Sequence, residues 1–96
     1  MLLLSKFKIS GHSMEPFIKD NDKILISNIF YLLNNPRVND VIVFYDKNKK
    51  IIVKRILKIK NEKYFVGGDN KNDSLDSRSF GYIQREQILG KYICKI

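Results

Sequence analysis

Val41-Ile42-Val43-Phe44-Tyr45, then Asp46-Lys47-Asn48-Lys49-Lys50, then Ile51-Ile52-Val53-Lys54-Arg55-Ile56-Leu57-Lys58-Ile59 is the stretch that decides the fold. The first segment is β-branched and aromatic, as strands are. The second is a polar hairpin turn. The third returns as a strand over Ile51 to Ile59. Side chains on a strand alternate between faces, so Lys54 shares a face with Ile52 and Ile56, while Arg55 falls opposite with Val53 and Leu57. A lysine so placed either reaches out to solvent along its stem, as most strand lysines do, or is held in an apolar wall.

Outward from this hairpin the pattern is more short strands between turn signals. Lys6 to Ile9 and Lys23 to Ser27 alternate, with Ile24 and Ile26 on one face. Lys19-Asp20-Asn21-Asp22 is a turn, since Asn and Asp tolerate left-handed backbone and bond their own main chain. Asn28 to Leu33 reads as one helical turn or a packed loop, and Asn34-Asn35-Pro36 breaks regular structure. Tyr64 to Val66 is a further strand, Gly67 to Phe80 a long polar loop, and Gly81 to Ile83 a strand restart. Arg85 to Leu89 reads as a brief helical turn and Lys91 to Ile96 as a closing strand. This spacing predicts an all-β domain, a barrel or folded antiparallel sheet, with one or two short helical turns.

The chain has 96 residues, enough for one compact domain over positions 1–96. A hydrophobic share of 44% and a charged share of 29% exclude a disordered tail. No run of eighteen apolar residues is present to span a bilayer as a helix. Met1-Leu2-Leu3-Leu4 is cut short by Ser5, Lys6 and Lys8, so it reads as a strand start or a superficial membrane foot. The net charge of +8 would suit an anionic partner, but lysine greatly outnumbers arginine and is mostly scattered. Phosphate and base recognition favours arginine forks, so nucleic acid is not the expected partner. A single cysteine, Cys94, and a single histidine, His12, allow neither an internal disulfide nor a zinc cluster.

The candidate nucleophile is Ser13, in Gly11-His12-Ser13-Met14-Glu15-Pro16. His12 is adjacent, but neighbouring side chains on extended backbone point apart. With no other histidine, a Ser-His-Asp triad is excluded. A lysine can replace the histidine if desolvation leaves its amine neutral near pH 7, and Lys54 has the isoleucine setting for it. A loop as long as Gly67 to Phe80 in so small a domain is functional or disordered. Within it Asp76 and Arg78 can pair, and a serine hydroxyl can orient the lysine amine.

Taken together, these pieces resemble the type I signal peptidases and their relatives, serine proteases with a Ser-Lys dyad. Gly11 to Pro16 is similar to the nucleophile box, Asn39 to Phe44 to the G-D-V-V-V-F box, and Val53-Lys54-Arg55-Ile56 to the lysine box. Gly68-Asp69-Asn70, Ser74, Asp76-Ser77-Arg78 and Phe80-Gly81 resemble the final box, closed by Ile88-Leu89-Gly90-Lys91. The boxes run in the right order from about Lys6 to Lys91, with Lys54 41 residues after Ser13.

The resemblance implies a fold of coiled antiparallel sheets and assigns roles. Ser13 attacks the scissile carbonyl and Lys54 is the general base. The Ser13 N–H contributes to the oxyanion hole. A second donor two residues earlier would be a hydroxyl in some members, and here is Gly11. Ser74, Asp76, Arg78 and Asp69 support the dyad. Ile9, Met14, Ile18, Ile52 and Val53 would line shallow apolar pockets, or serve as ordinary core. The substrate is a peptide or precursor protein with small residues, Ala-x-Ala, before the cleaved bond. No cofactor or metal is required.

The anchor that usually precedes the nucleophile box and the P-G-D insertion after the lysine box do not appear, so the expected form is a minimal catalytic core. Two locations follow: a membrane surface on the extracytoplasmic side, with peripheral contact through Leu2, Leu3, Leu4 and basic residues, or a soluble maturation protease for one precursor. Asn21 and Asn39 stand where glycines are expected, and Asn accepts positive φ. Competing readings are a small basic β-barrel that binds nucleic acid, and a relative that binds peptides without cutting them. The first requires exposed aromatics among basic residues, whereas Phe44, Tyr45 and Phe65 sit in apolar runs that read as core.

Overall fold

A computed structural model describes residues 4–70 and 81–96. Its strands are β1 (Leu4–Lys8), β2 (Lys23–Ser27), β3 (Val41–Tyr45), β4 (Ile51–Lys60), β5 (Lys63–Gly67) and β6 (Ile88–Lys95). One short helix, α1 (Phe30–Leu33), and one 3-10 turn, Arg85–Gln87, complete the regular structure of the described residues. All pairings are antiparallel, in the order β1-β2-β6-β3-β4-β5, so the described strands form one open sheet with β1 and β5 at its edges. The all-β expectation holds.

Both faces of this sheet are covered, which explains the unbroken apolar run of β3. Val41 and Val43 join Ile9, Met14, Ile18, Ile24 and Ile26 in one cluster. Ile42 and Phe44 join Tyr31, Ile56, Tyr64, Val66 and Ile83 in the other. A strand with two buried faces reads as a continuous hydrophobic segment. Of the three aromatics expected in the core, only Phe44 is fully buried. Tyr45 is 38% exposed, and Phe65 is half-buried, since the β5 face that bears it packs against neither cluster.

Asn21 and Asn39 adopt φ of 70° and 78°, so asparagine does supply the left-handed backbone there. Asn61 and Glu62, at φ 51° and 63°, make a tight turn between β4 and β5. A bulge between Ile56 and Lys58 shifts the register of β4, a detail that simple alternation does not reveal. The strand restart at Gly81 to Ile83 is a single bridge from Ile83 to Tyr64. The expected helical turn at Arg85 to Leu89 is shorter, because Ile88 and Leu89 already belong to β6.

The loop between β2 and β3 is held to the sheet by polar contacts. The Tyr31 hydroxyl donates to Asp40 at 2.6 Å, and Lys91 Nζ lies 3.7 Å from the same carboxylate. Burial, and then the Asp40 carboxylate, push the Tyr31 phenol above its usual range, so it stays a donor. Gly90 lies where β6 passes β2. A Cβ there would sit 2.6 Å from the Ser27 carbonyl oxygen and 3.1 Å from Ile26 Cδ1. Gly90→Ala is therefore expected to push these central strands apart and to cost about 1–3 kcal/mol, read by urea unfolding.

Candidate active site

The loop joining β1 to β2 carries Ser13. Its neck is closed by Ile9 N–H to the Asp22 carbonyl (2.8 Å) and Asn21 N–H to the Ile9 carbonyl (2.9 Å). Within it, Glu15 N–H reaches the His12 carbonyl at 3.1 Å and Ile18 N–H the Met14 carbonyl at 3.0 Å. The Glu15–Pro16 peptide is cis. Ile9, Met14 and Ile18 sink into the first cluster and fix the loop to the sheet. Ser13, just before the Met14 anchor, is left half-buried at the rim.

His12 Nδ1 lies 2.5 Å from Glu15 Oε2, so its ring is taken up along its own loop. That bond holds the Glu15 carboxyl below its usual range. Gly11 donates its N–H to Asp20 Oδ1 at 2.7 Å, which leaves that N–H committed elsewhere than to an oxyanion. Its φ of +102° also resists any side chain, so a serine or threonine hydroxyl is not readily restored at this position.

Lys54 lies in the middle of β4, opposite Ile42 on β3, and is only 5% exposed. The neighbours on its face, Ile42 and Ile56, are fully buried. Lys54 is therefore buried in the sheet and does not reach out to solvent along its stem. Arg55 faces the other way. Its Nε and Nη2 each reach a different oxygen of Asp69 at 2.8 Å, and its Nη1 reaches the Asn39 carbonyl at 2.9 Å. The bond to Asp69 raises the guanidinium further above its ordinary pKa, so it stays charged.

Among the described residues, ring and polar contacts tie the serine loop to β4 and to the segment after β5. Arg55 stacks on Phe17 of the loop, 5.0 Å from the ring centre. Asn70, next to Asp69, donates its N–H to the Ser13 carbonyl at 2.9 Å and its Nδ2 to the His12 carbonyl at 3.1 Å. The chain after β5 thus grips the residue beside Lys54 with Asp69 and the serine itself with Asn70. Asp69 was expected near the dyad. Asn70 and Phe17 were not singled out, although Asn70 sits inside the G-D-N signal.

Ser74, Asp76 and Arg78, expected to orient the lysine and brace the loop, lie outside the described residues. The five expected pocket residues are divided between the two clusters. Ile9, Met14, Ile18 and Val53 belong to the first cluster and Ile52 to the second. Ile18 has no exposure at all, and Met14 has 2%. Among the described residues no group of His, Cys, Asp and Glu is arranged to hold a metal ion.

An antiparallel sheet that carries a serine loop between its first two strands and a buried lysine in the middle of β4 defines a class of all-β domains. The family described as "Signal peptidase, peptidase S26" matches residues 1–59 and 57–96. The chain belongs to that family.

Among curated relatives it is 27% identical to a probable signal peptidase I-2 of Synechocystis sp., over 86% of this chain and 58% of that protein. It is 23% identical to a signal peptidase I of Leptolyngbya laminosa, over 91% of this chain and 66% of the relative. A signal peptidase IB of Staphylococcus aureus is 24% identical, over 93% and 75%. The chain thus spans less than two thirds of the first two relatives. The two family matches meet at residues 57–59, in the β4–β5 hairpin.

Proposed function

We propose that this chain is a serine endopeptidase that cleaves signal peptides or pro-segments after small residues, using Ser13 and Lys54. The observation that carries the reading is the burial of Lys54 at 5% exposure, on a strand whose next residue is bonded to the segment holding Ser13. Removing an ammonium from water favours its neutral amine, the form a general base requires.

In this mechanism Lys54 Nζ takes the Ser13 hydroxyl proton as Oγ bonds to the scissile carbonyl carbon. The Ser13 N–H steadies the resulting oxyanion. The C–N bond then breaks and Lys54 passes its proton to the departing amine. Water, deprotonated by Lys54, hydrolyses the acyl-enzyme and frees Ser13. Asp69 and Asn70 hold the geometry, and Ser74, Asp76 and Arg78 complete the support. Small side chains before the bond suit a rim whose apolar residues are largely committed to the core.

The test is incubation of the purified chain with an Ala-x-Ala peptide, beside Ser13→Ala. Cleavage after the second alanine by the parent alone is the expected result. Equal turnover by both would remove Ser13 from the chemistry. A peptide with bulky residues in place of the alanines should be cut far more slowly.

A further inference from the structure

Phe17 stands apart from the other large apolar residues of the serine loop. Ile9, Met14 and Ile18 are buried in the first cluster, whereas Phe17 is 38% exposed. Burial in the core does not by itself account for its placement. Its ring is nevertheless gripped from two strands. The Arg55 guanidinium on β4 lies over it, 5.0 Å from the ring centre. The Tyr92 ring on β6 meets it at 67°, with centroids 5.2 Å apart. These strands flank β3 on either side, so the ring spans the strand between them. A cation over a ring face and a tilted ring pair are directional contacts that an aliphatic side chain cannot make.

The guanidinium is itself fixed. Asp69 accepts from its Nε and Nη2, and the Asn39 carbonyl accepts from its Nη1. Asn70, next after Asp69, donates to the Ser13 and His12 carbonyls. The turn from His12 to Phe17 is thus fastened at both ends to the same pair of residues. Its start is held directly by Asn70, and its end through Phe17, Arg55 and Asp69. Met14 and Ile18 set the depth of the loop, but apolar contacts are non-directional. Fastening the far end opposes rocking of the turn about the Asn70 bonds, the motion that would swing Ser13 Oγ.

We propose that Phe17 is a positioning residue for the nucleophile: clipped between Arg55 and Tyr92, it holds the end of the turn that aims Ser13. Its catalytic consequence rests on the Ser-Lys reading, whereas the restraint on the loop is measured without turnover.

The experiment compares the full chain with Phe17→Leu, Phe17→Tyr and Tyr92→Leu. Leucine keeps apolar bulk without an aromatic face, and tyrosine keeps the face. On an Ala-x-Ala peptide, Phe17→Leu should lower kcat about fivefold to tenfold, with KM within about twofold of the parent and little change in melting. Phe17→Tyr should restore kcat, and Tyr92→Leu should show a smaller loss of the same kind. Hydrogen exchange supplies the second readout. In Phe17→Leu the Glu15 and Asn70 amides, bonded to the His12 and Ser13 carbonyls, should exchange about tenfold faster, while those of β3 are unchanged. Parent-like kcat in Phe17→Leu, or an equal loss in Phe17→Leu and Phe17→Tyr, would overturn the proposal. Should Phe17→Leu not fold, parent-like kcat and exchange in Tyr92→Leu would overturn it as well. If the parent itself cleaves no peptide, the Ser-Lys reading fails, and unchanged loop exchange in Phe17→Leu overturns the positioning role independently.

Discussion

Lys54→Met should fold and melt close to the parent while losing turnover by a factor on the order of 10³ or more. The two halves of this expectation have separate causes. A buried ammonium is costly, and an apolar side chain of similar length fills the same space between Ile42, Ile52 and Ile56. Methionine suits such a gap because it is unbranched and flexible. It cannot accept a proton, so the Ser13 hydroxyl would have no base. Loss of both fold and activity would show instead that the amine is structural.

The same assignment fixes the sign of the pH dependence. The base works only as the neutral amine, whose fraction grows with pH. Turnover should therefore rise from neutral to mildly alkaline pH and level off once Lys54 is deprotonated. A flat profile through that range would exclude a lysine base.

Asp69→Ala is expected to cost about 1–3 kcal/mol of stability and a further factor of roughly 10² in turnover below the melting range. The Arg55–Asp69 fork is partly buried, with the two side chains 25% and 21% exposed. Losing one partner of a fully buried pair costs about 3–5 kcal/mol, and partial solvation lowers that figure. The activity term is separate. With Asp69 gone, Asn70 loses the anchor that sets it against the Ser13 and His12 carbonyls, and a small displacement of an attacking group is expensive. Turnover equal to the parent at low temperature would show that the segment after β5 does not position the serine.

The strands were legible because their chemistry is local. Lys23 to Ser27 and Val41 to Tyr45 match β2 and β3 residue for residue. The alternation that placed Lys54 among isoleucines held because its half of β4 is regular. Beyond Ile56 it fails, since the bulge moves Lys58 opposite Phe65. Phe65 read as core for the same reason: an apolar run cannot show which face of an edge strand is left bare. The proposed site was half legible. Ser13 and Lys54 stand in recognisable company, but the grip of Asn70 on the serine loop and the stacking of Arg55 on Phe17 join residues remote in sequence. No periodicity reports such contacts.

The sheet order also governs when these groups can meet. β6, the last of the described strands in sequence, lies between β2 and β3, and it contributes Leu89 and Tyr92 to one cluster and Ile88 to the other. Before it arrives, β1–β2 with the serine loop and β3–β4–β5 with the lysine are two separate pieces of β-structure. A ribosome makes the chain in sequence order, so the strand that couples them is translated after both. Pairing of β6 with β2 and with β3 is thus the step that joins the two pieces into one sheet.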